Sequence, residues 1–301
     1  LVGGALPIEA ERARAAFKAQ VADPLGLAVE EAAHGAFRIA ASNMIRAIRA
    51  VSSERGRDPR TFALFAFGGN GPLFACEMAK TLDMTRVVIP PSPGLFSAFG
   101  LLYADLEHHY SRTLRRVTQE ADAAEIAAAW GELEDQARTQ LLANGVAAAD
   151  MQVRRAAALH YKGQSFELVV PAPDGAIDKG FLDKLADAFG AEHERVYGHR
   201  AGPEEPVELV SMQVVAASSA DSGGVPERVV PSRPEPEPGP PRQVFFGQEH
   251  GWVETPILRR SDLEGGRAGP LIVEEYDATC VVPPGAKASL DGGGNIVIQL
   301  A

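Results

Sequence analysis

Apolar residues recur at steps of three and four through Ala33, Phe37, Ala40, Met44, Ile48 and Val51. That spacing is one stripe of an amphipathic helix over residues 30–53. Glu30 and Glu31 at its start and Arg46 and Arg49 near its end complement the helix dipole. Gly56 and Asp58-Pro59 stop it. The pattern then changes. Phe62-Ala63-Leu64-Phe65-Ala66-Phe67 is apolar without alternation, which predicts a strand buried on both faces. Gly68-Gly69-Asn70-Gly71-Pro72 predicts a sharp turn, with Pro72 suited to the first position of a helix that runs to Leu82. Val87-Val88-Ile89 predicts a second buried strand, ended by Pro90, Pro91 and Pro93-Gly94. Helix, strand, helix and strand in that order predict an α/β unit around a largely parallel sheet.

Further along, an Ala-rich helix is expected over 119–143, with Gly145 as its stop. Residues 151–161 and 165–171 read as a hairpin around Lys162-Gly163-Gln164. A helix over 178–197 ends at Gly198, and a strand follows over 206–217. This middle region reads as α+β. Residues 221–241 hold Pro226, Pro231, Pro234, Pro236, Pro238, Pro240 and Pro241, a density that favours an extended linker or strap. Short strands are expected at 242–247, 251–258, 270–275, 278–282, 286–290 and 295–300, separated by Gly- and Pro-rich turns. The expected division is therefore 1–115, 116–220, the linker 221–241, and a small all-β module over 242–301.

A length of 301 residues suits two or three domains. A net charge of −11 argues against nucleic acid or an anionic membrane as partner, because both repel a net anion. No signal peptide or membrane span is expected, since no charged leader with an apolar core and no long apolar run is read. Cys76 and Cys280 cannot build a disulfide framework, and a reducing cytoplasm is the plain reading. The chain opens with Leu1-Val2-Gly3-Gly4, which points to a processed product or a piece of something longer.

Chemistry concentrates at two loops. Gly68, Gly69, Asn70, Gly71 and Pro72 lie where a buried strand hands over to a helix start. Glycines there admit a ligand close to the backbone, and free helix N–H groups attract it. The alternative is a tight structural turn. The spacing is neither a dinucleotide fingerprint, since Phe74 replaces the third glycine, nor a Walker A loop. Ser92, Gly94 and Ser97 follow the next strand, where α/β sheets bind ligands. They are substrate-binding candidates, with a rigid serine-capped loop as the alternative. Asp105, Glu107, His108 and His109 raise a divalent metal site against a solvated strand end. His193 and His199, Lys162 and Gln164, and a Cys76 thiol at a helix start are weaker candidates, each with a structural alternative.

Three stretches, residues 65–72, 88–90 and 93–101, closely resemble the hydantoinase/5-oxoprolinase family. The resemblance continues through Asn43-Met44, Asp58-Pro59, Tyr161-Lys162-Gly163-Gln164, Tyr197-Gly198, residues 269–275 and 281–285. That family includes A-type subunits of ATP-dependent hydantoinases and a subunit of acetone carboxylase. The resemblance implies part of an actin-like ATPase fold in which Gly68, Gly69 and Gly71 line the adenosine pocket. Asn70 stands where the family usually has a smaller residue. It further implies ATP and Mg²⁺ as cofactors, a cyclic amide as substrate and a B-type subunit as partner. A ketone-phosphorylating subunit and a non-catalytic assembly module are the alternatives. Actin-like ATPases hold phosphate with an Asp-x-Gly-Gly-Thr hairpin. Asp221-Ser222-Gly223-Gly224 lacks the threonine, and Asp291-Gly292-Gly293-Gly294 sits in a terminal turn. The expectation is a chain that carries the adenosine side of a nucleotide site without its phosphate side, and that does not turn over ATP alone.

Overall fold

A computed structural model describes residues 9–202, 204–218 and 235–301. The elements in chain order are α1 (Ala10–Phe17), α2 (Val29–Val51), β1 (Leu64–Phe65), α3 (Gly71–Thr81), β2 (Arg86–Ile89), α4 (Phe96–Leu101), β3 (Glu107–Val117), α5 (Ala123–Ala143), β4 (Met151–Tyr161), β5 (Leu168–Pro171), α6 (Lys179–Tyr197) and β6 (Val207–Ser218). After the strap come β7 (Arg242–Phe245), β8 (Trp252–Thr255), β9 (Ile257–Leu258), β10 (Arg267–Ala268), β11 (Leu271–Glu274), β12 (Thr279–Val282), β13 (Lys287–Leu290) and β14 (Ile296–Gln299). They form two compact units, one holding the residues up to Leu102 together with the C-terminal segment, the other running from Tyr103 to the end of β6.

In the first unit the sheet order is β1-β2-β14-β13-β10. Only β1 and β2 are parallel; β14 lies antiparallel to β2, pairing Ile296 with Ile89 and Ile298 with Val87. The largely parallel sheet expected from the chain order is thus corrected, and so is the separate β module at 242–301. Its strands β14, β13 and β10 complete the first sheet. Val87, Ile89, Ile296 and Ile298 are fully buried, each stabilising the unit by about 1.5–3 kcal/mol. Beside them lies a second sheet of order β12-β11-β9, and α3 packs across β2 and β12 through Ala75, Met78 and Ala79.

Two local expectations also change. The run 62–67 pairs only over Leu64 and Phe65, and Phe62, Phe65 and Phe67 are about half exposed. β1 is the edge strand, so no strand pairs along its outer edge among the described residues. On α2 the buried positions are Ala32, Ala41 and Ile45, one step round from the expected stripe, while Met44 and Val51 are exposed. Apolar residues flank both stripes, so periodicity left the rotation open: Ala41 and Ile45 enter the core, while Ile48 and Phe37 of the expected stripe keep partial contact, Phe37 stacked on Phe74 of α3 at 4.6 Å.

The second unit is a four-stranded antiparallel sheet, β3-β6-β4-β5, with α5 and α6 on one face. Trp130 of α5 is fully buried and meets Phe181 edge-on at 5.6 Å. β3 pairs with β6 from Glu107 to Val117, so a boundary at 115 would cut a continuous strand. The hairpin β4–β5 and the stops at Gly145 and Gly198, both at positive φ, are as the sequence predicts. Residues 219–234, including most of the proline-rich strap and the Asp221-Ser222-Gly223-Gly224 segment, lie outside the described residues. Among the described residues no helix is long and apolar enough to cross a membrane.

Candidate functional site

The two glycine-containing loops leave the C-terminal ends of the neighbouring parallel strands β1 and β2. That is where open α/β sheets bind ligands. The loops are joined directly: Gly68 N–H donates to the Pro93 carbonyl at 2.7 Å. Gly68 has φ +86°, a conformation that L side chains avoid, so this position needs glycine. Gly71 N–H donates back to Gly68 O at 3.1 Å and opens α3, with buried Pro72 in the first turn. The Asn70 side chain makes no capping bond, which leaves the α3 N-terminus without a side-chain acceptor from that residue. Ser92 sits at φ +48°, an uncommon left-handed conformation for a residue with a Cβ. Ser97 is exposed on α4, and no hydrogen bond joins it to either loop among the described residues. The structure therefore brings 68–72 together with Ser92 and Gly94, and leaves Ser97 on the adjoining helix.

Beneath the loops lies a turn from far along the chain. Asp277, between β11 and β12, accepts a hydrogen bond from Gly94 N–H at 2.8 Å through Oδ2. A Cβ at Gly94 would lie 2.7 Å from the Asp277 carbonyl oxygen, and one at Gly69 would lie 3.4 Å from it. Gly94 is thus required by the approach of the chain itself rather than by that of a ligand. Arg260, 5% exposed, places all five guanidinium N–H groups. It binds both Glu275 oxygens at 2.7 Å, Ile89 O at 3.1 Å, Pro90 O at 2.8 Å and Gly294 O at 2.9 Å. Neither Arg260 nor Asp277 stands out in the sequence. Only an acidic residue closing the apolar run 271–275 hints at a buried partner.

The remaining candidates resolve into structural contacts. His109 meets Glu107 at 3.1 Å, Glu107 also pairs with Arg154, and His108 turns to Asn144 at 2.8 Å. Among the described residues no group of three or more His, Cys, Asp or Glu could hold a metal. His193 is buried, with Nδ1 on the His199 carbonyl at 2.6 Å. Lys162 and Gln164 are exposed on their turn. Burial pushes the Cys76 thiol up to about 12 and raises Cys280 well above its ordinary value, so the helix start does not activate Cys76. Asp291 loses acidity to burial but regains more from hydrogen bonds with Asn295, Gly293 and Gly294, so its pKa ends below the ordinary value; it holds the β13–β14 turn. A cavity of about 1510 Å³ in the first unit is lined from α1, α2, α3 and the β7–β8 hairpin, and neither glycine loop lines it.

Comparison with known proteins matches residues 1–110 to the hydantoinase/oxoprolinase model and residues 114–296 to the hydantoinase/oxoprolinase C-terminal domain. The chain belongs to the hydantoinase/oxoprolinase family. An uncharacterized protein of Methanocaldococcus jannaschii is 36% identical over 99% of this chain and 42% of its own length. The acetone carboxylase beta subunit of Xanthobacter autotrophicus is 31% identical over 97% of this chain and 42% of its own. The crystal structure of the ATP-dependent caprolactamase from Pseudomonas jessenii superposes with a TM-score of 0.77 at 28% identity, covering 99% of this chain and 44% of that one. The chain therefore spans less than half the length of the relatives it matches.

In this family member the loops are flanked by exposed apolar surface. The rings of Phe65, Phe67 and Phe96 lie 5.3–5.9 Å apart, and α4 has no buried residue although it reads Phe-Ser-Ala-Phe-Gly-Leu. The apolar run at 62–67 is the trace of this surface in the sequence, read there as a buried strand.

Proposed function

We propose that this chain is a portion of an ATP-dependent cyclic-amide hydrolase subunit and carries the adenosine side of its nucleotide site. The carrying observation is the pair of loops at the ends of β1 and β2, locked together by the Gly68–Pro93 hydrogen bond in front of α3. Residues 68–72 and 90–95 contain no Lys, Arg, Asp or Glu. Backbone groups and small side chains of that kind fit a neutral nucleoside and supply no cationic side chain to pair with phosphate. Asp277 is the carboxylate at the loops, and it is bound to Gly94. Mg²⁺ and the phosphates therefore belong, in this reading, to residues outside these loops, within an actin-like ATPase body. The proposed partner is a second, B-type subunit. A lactam carbonyl is a poor electrophile, and phosphorylation of its oxygen before attack by water gives ATP a chemical role.

The likeness to caprolactamase supports the cyclic amide. The acetone carboxylase beta subunit, with 31% identity, supports a second reading in which a ketone oxygen takes the phosphoryl group. The exposed apolar α4 supports a third, in which the chain serves assembly alone. Hydrogen exchange with millimolar adenosine or ATP tests the nucleotide site. Both ligands should slow the amides of residues 68–71, 73 and 74, adenosine about as well as ATP. Unchanged exchange with both would overturn the nucleotide reading.

A further inference from the structure

The loops are held from below by a turn that is distant in the chain, and this turn touches both of them. We propose that Asp277 is a positioning residue that sets the spacing of the two glycine loops, and that the Arg260–Glu275 pair anchors it. The inference rests on the nucleotide reading above and deepens it.

Asp277 acts on the loops in two ways. Its carboxylate fixes the Gly94 amide at 2.8 Å, across 183 positions of sequence. Its backbone oxygen lies under both Gly94 and Gly69, at the separations a Cβ there would register as 2.7 and 3.4 Å. The Gly68–Pro93 bond ties the loops directly to each other at 2.7 Å. The gap between the loops is thus closed by one bond and propped by one residue. A hydrogen bond to a loop amide orders the loop only if the acceptor is itself immobile, and Asp277 is. The turn that carries it is closed by Glu275 N–H donating to Ala278 O at 2.9 Å, and the flanking strands pair at Glu274 and Thr279. Two residues before Asp277, Glu275 is gripped by Arg260 with two bonds of 2.7 Å. Arg260 spends its other donors on Ile89, Pro90 and Gly294, so the turn is referenced to the end of β2, from which the second loop departs. A charge-assisted bond from a carboxylate to a backbone N–H is stronger than a neutral one. A preorganised loop also spares a ligand the ordering cost.

The test uses the whole chain, with AMP-PNP as the probe and hydrogen exchange as the readout. In the free protein, the Gly94 amide should exchange slowly, and Asp277→Ala should speed it while the β2 amides stay protected. Asp277→Ala should weaken AMP-PNP at least tenfold without lowering the melting temperature of the unit in step. Asp277→Asn keeps an acceptor of the same reach and should restore affinity to within about threefold. Three outcomes would overturn the proposal. The Gly94 amide could exchange as an open loop in the wild type, which needs no variant to fold. Asp277→Ala could bind as tightly as wild type, or Asn could fail as completely as Ala. The last pattern would mean that the carboxylate acts on the ligand itself. Failure of the wild type to bind AMP-PNP, with Gly94 protected, would instead remove the nucleotide reading on which the proposal stands.

Discussion

Replacing Arg260 by methionine removes five hydrogen bonds at once and leaves Glu275, whose side chain is 13% exposed, as a buried carboxylate without its cation. Methionine fills most of the arginine stem, so packing loss is small and the electrostatic loss dominates. Breaking one partner of a buried pair costs about 3–5 kcal/mol, and we expect about 4 kcal/mol here. The double variant Arg260→Met/Glu275→Leu removes the orphaned charge as well. What then remains is the loss at the carbonyls of Ile89, Pro90 and Gly294, for which about 2 kcal/mol is expected. Native-state hydrogen exchange is the assay, because each unit is read through its own core amides. Amides of Val87 and Ile298 report the first unit, and those of Leu209 and Met212 report the second. A loss of 4 kcal/mol speeds exchange about a thousandfold, and 2 kcal/mol about thirtyfold. Exchange in the second unit should not change. A single variant costing less than about 1 kcal/mol, or a double variant at least as costly as the single, would refute the reasoning.

Gly94→Ala should destabilise the first unit, because the new Cβ meets the Asp277 backbone at 2.7 Å and the loop must shift; thermal melting checks this, and an unchanged melting temperature would contradict the geometry. Cys76 should resist iodoacetamide at pH 8, where a thiol at about 12 is thiolate in roughly one molecule in ten thousand; labelling within minutes without denaturant would show that it is not buried. Asp291 has a lowered folded-state pKa. Its stabilising effect is therefore present above the ordinary carboxyl value and lost as pH falls through the folded one. The stability gap between wild type and Asp291→Ala should narrow on acidification, as followed by urea unfolding at pH 7 and pH 3.

Local order along this chain was legible without coordinates. The period of α2, the glycine stops at 145 and 198, the β4–β5 hairpin and the turn at 68–72 all follow from residues within one or two turns of each other. For the same reason the sequence marked both loops of the candidate site, since a Gly-rich turn between an apolar run and a helix is a local pattern. Four matters were decided only by tertiary structure. Periodicity could not choose which apolar flank of α2 faces inward, because Ala40 and Ala41, or Met44 and Ile45, serve either stripe equally until the core forms against one of them. The apolar run at 62–67 could not reveal that β1 lies at a sheet edge, since edge and centre are properties of neighbours. The C-terminal strands read as a module of their own because each has its own turns, yet β14 joins β2 across some two hundred residues to bury Ile296 and Ile298. Arg260, Glu275 and Asp277 were invisible for the same physical reason. Hydrogen bonds and ion pairs depend on distance in space, and Arg260 finds the β2 carbonyls at a separation of 171 positions. What the residues determined by themselves was where a ligand loop could form; what holds that loop in shape was settled by the part of the chain that folds back beneath it.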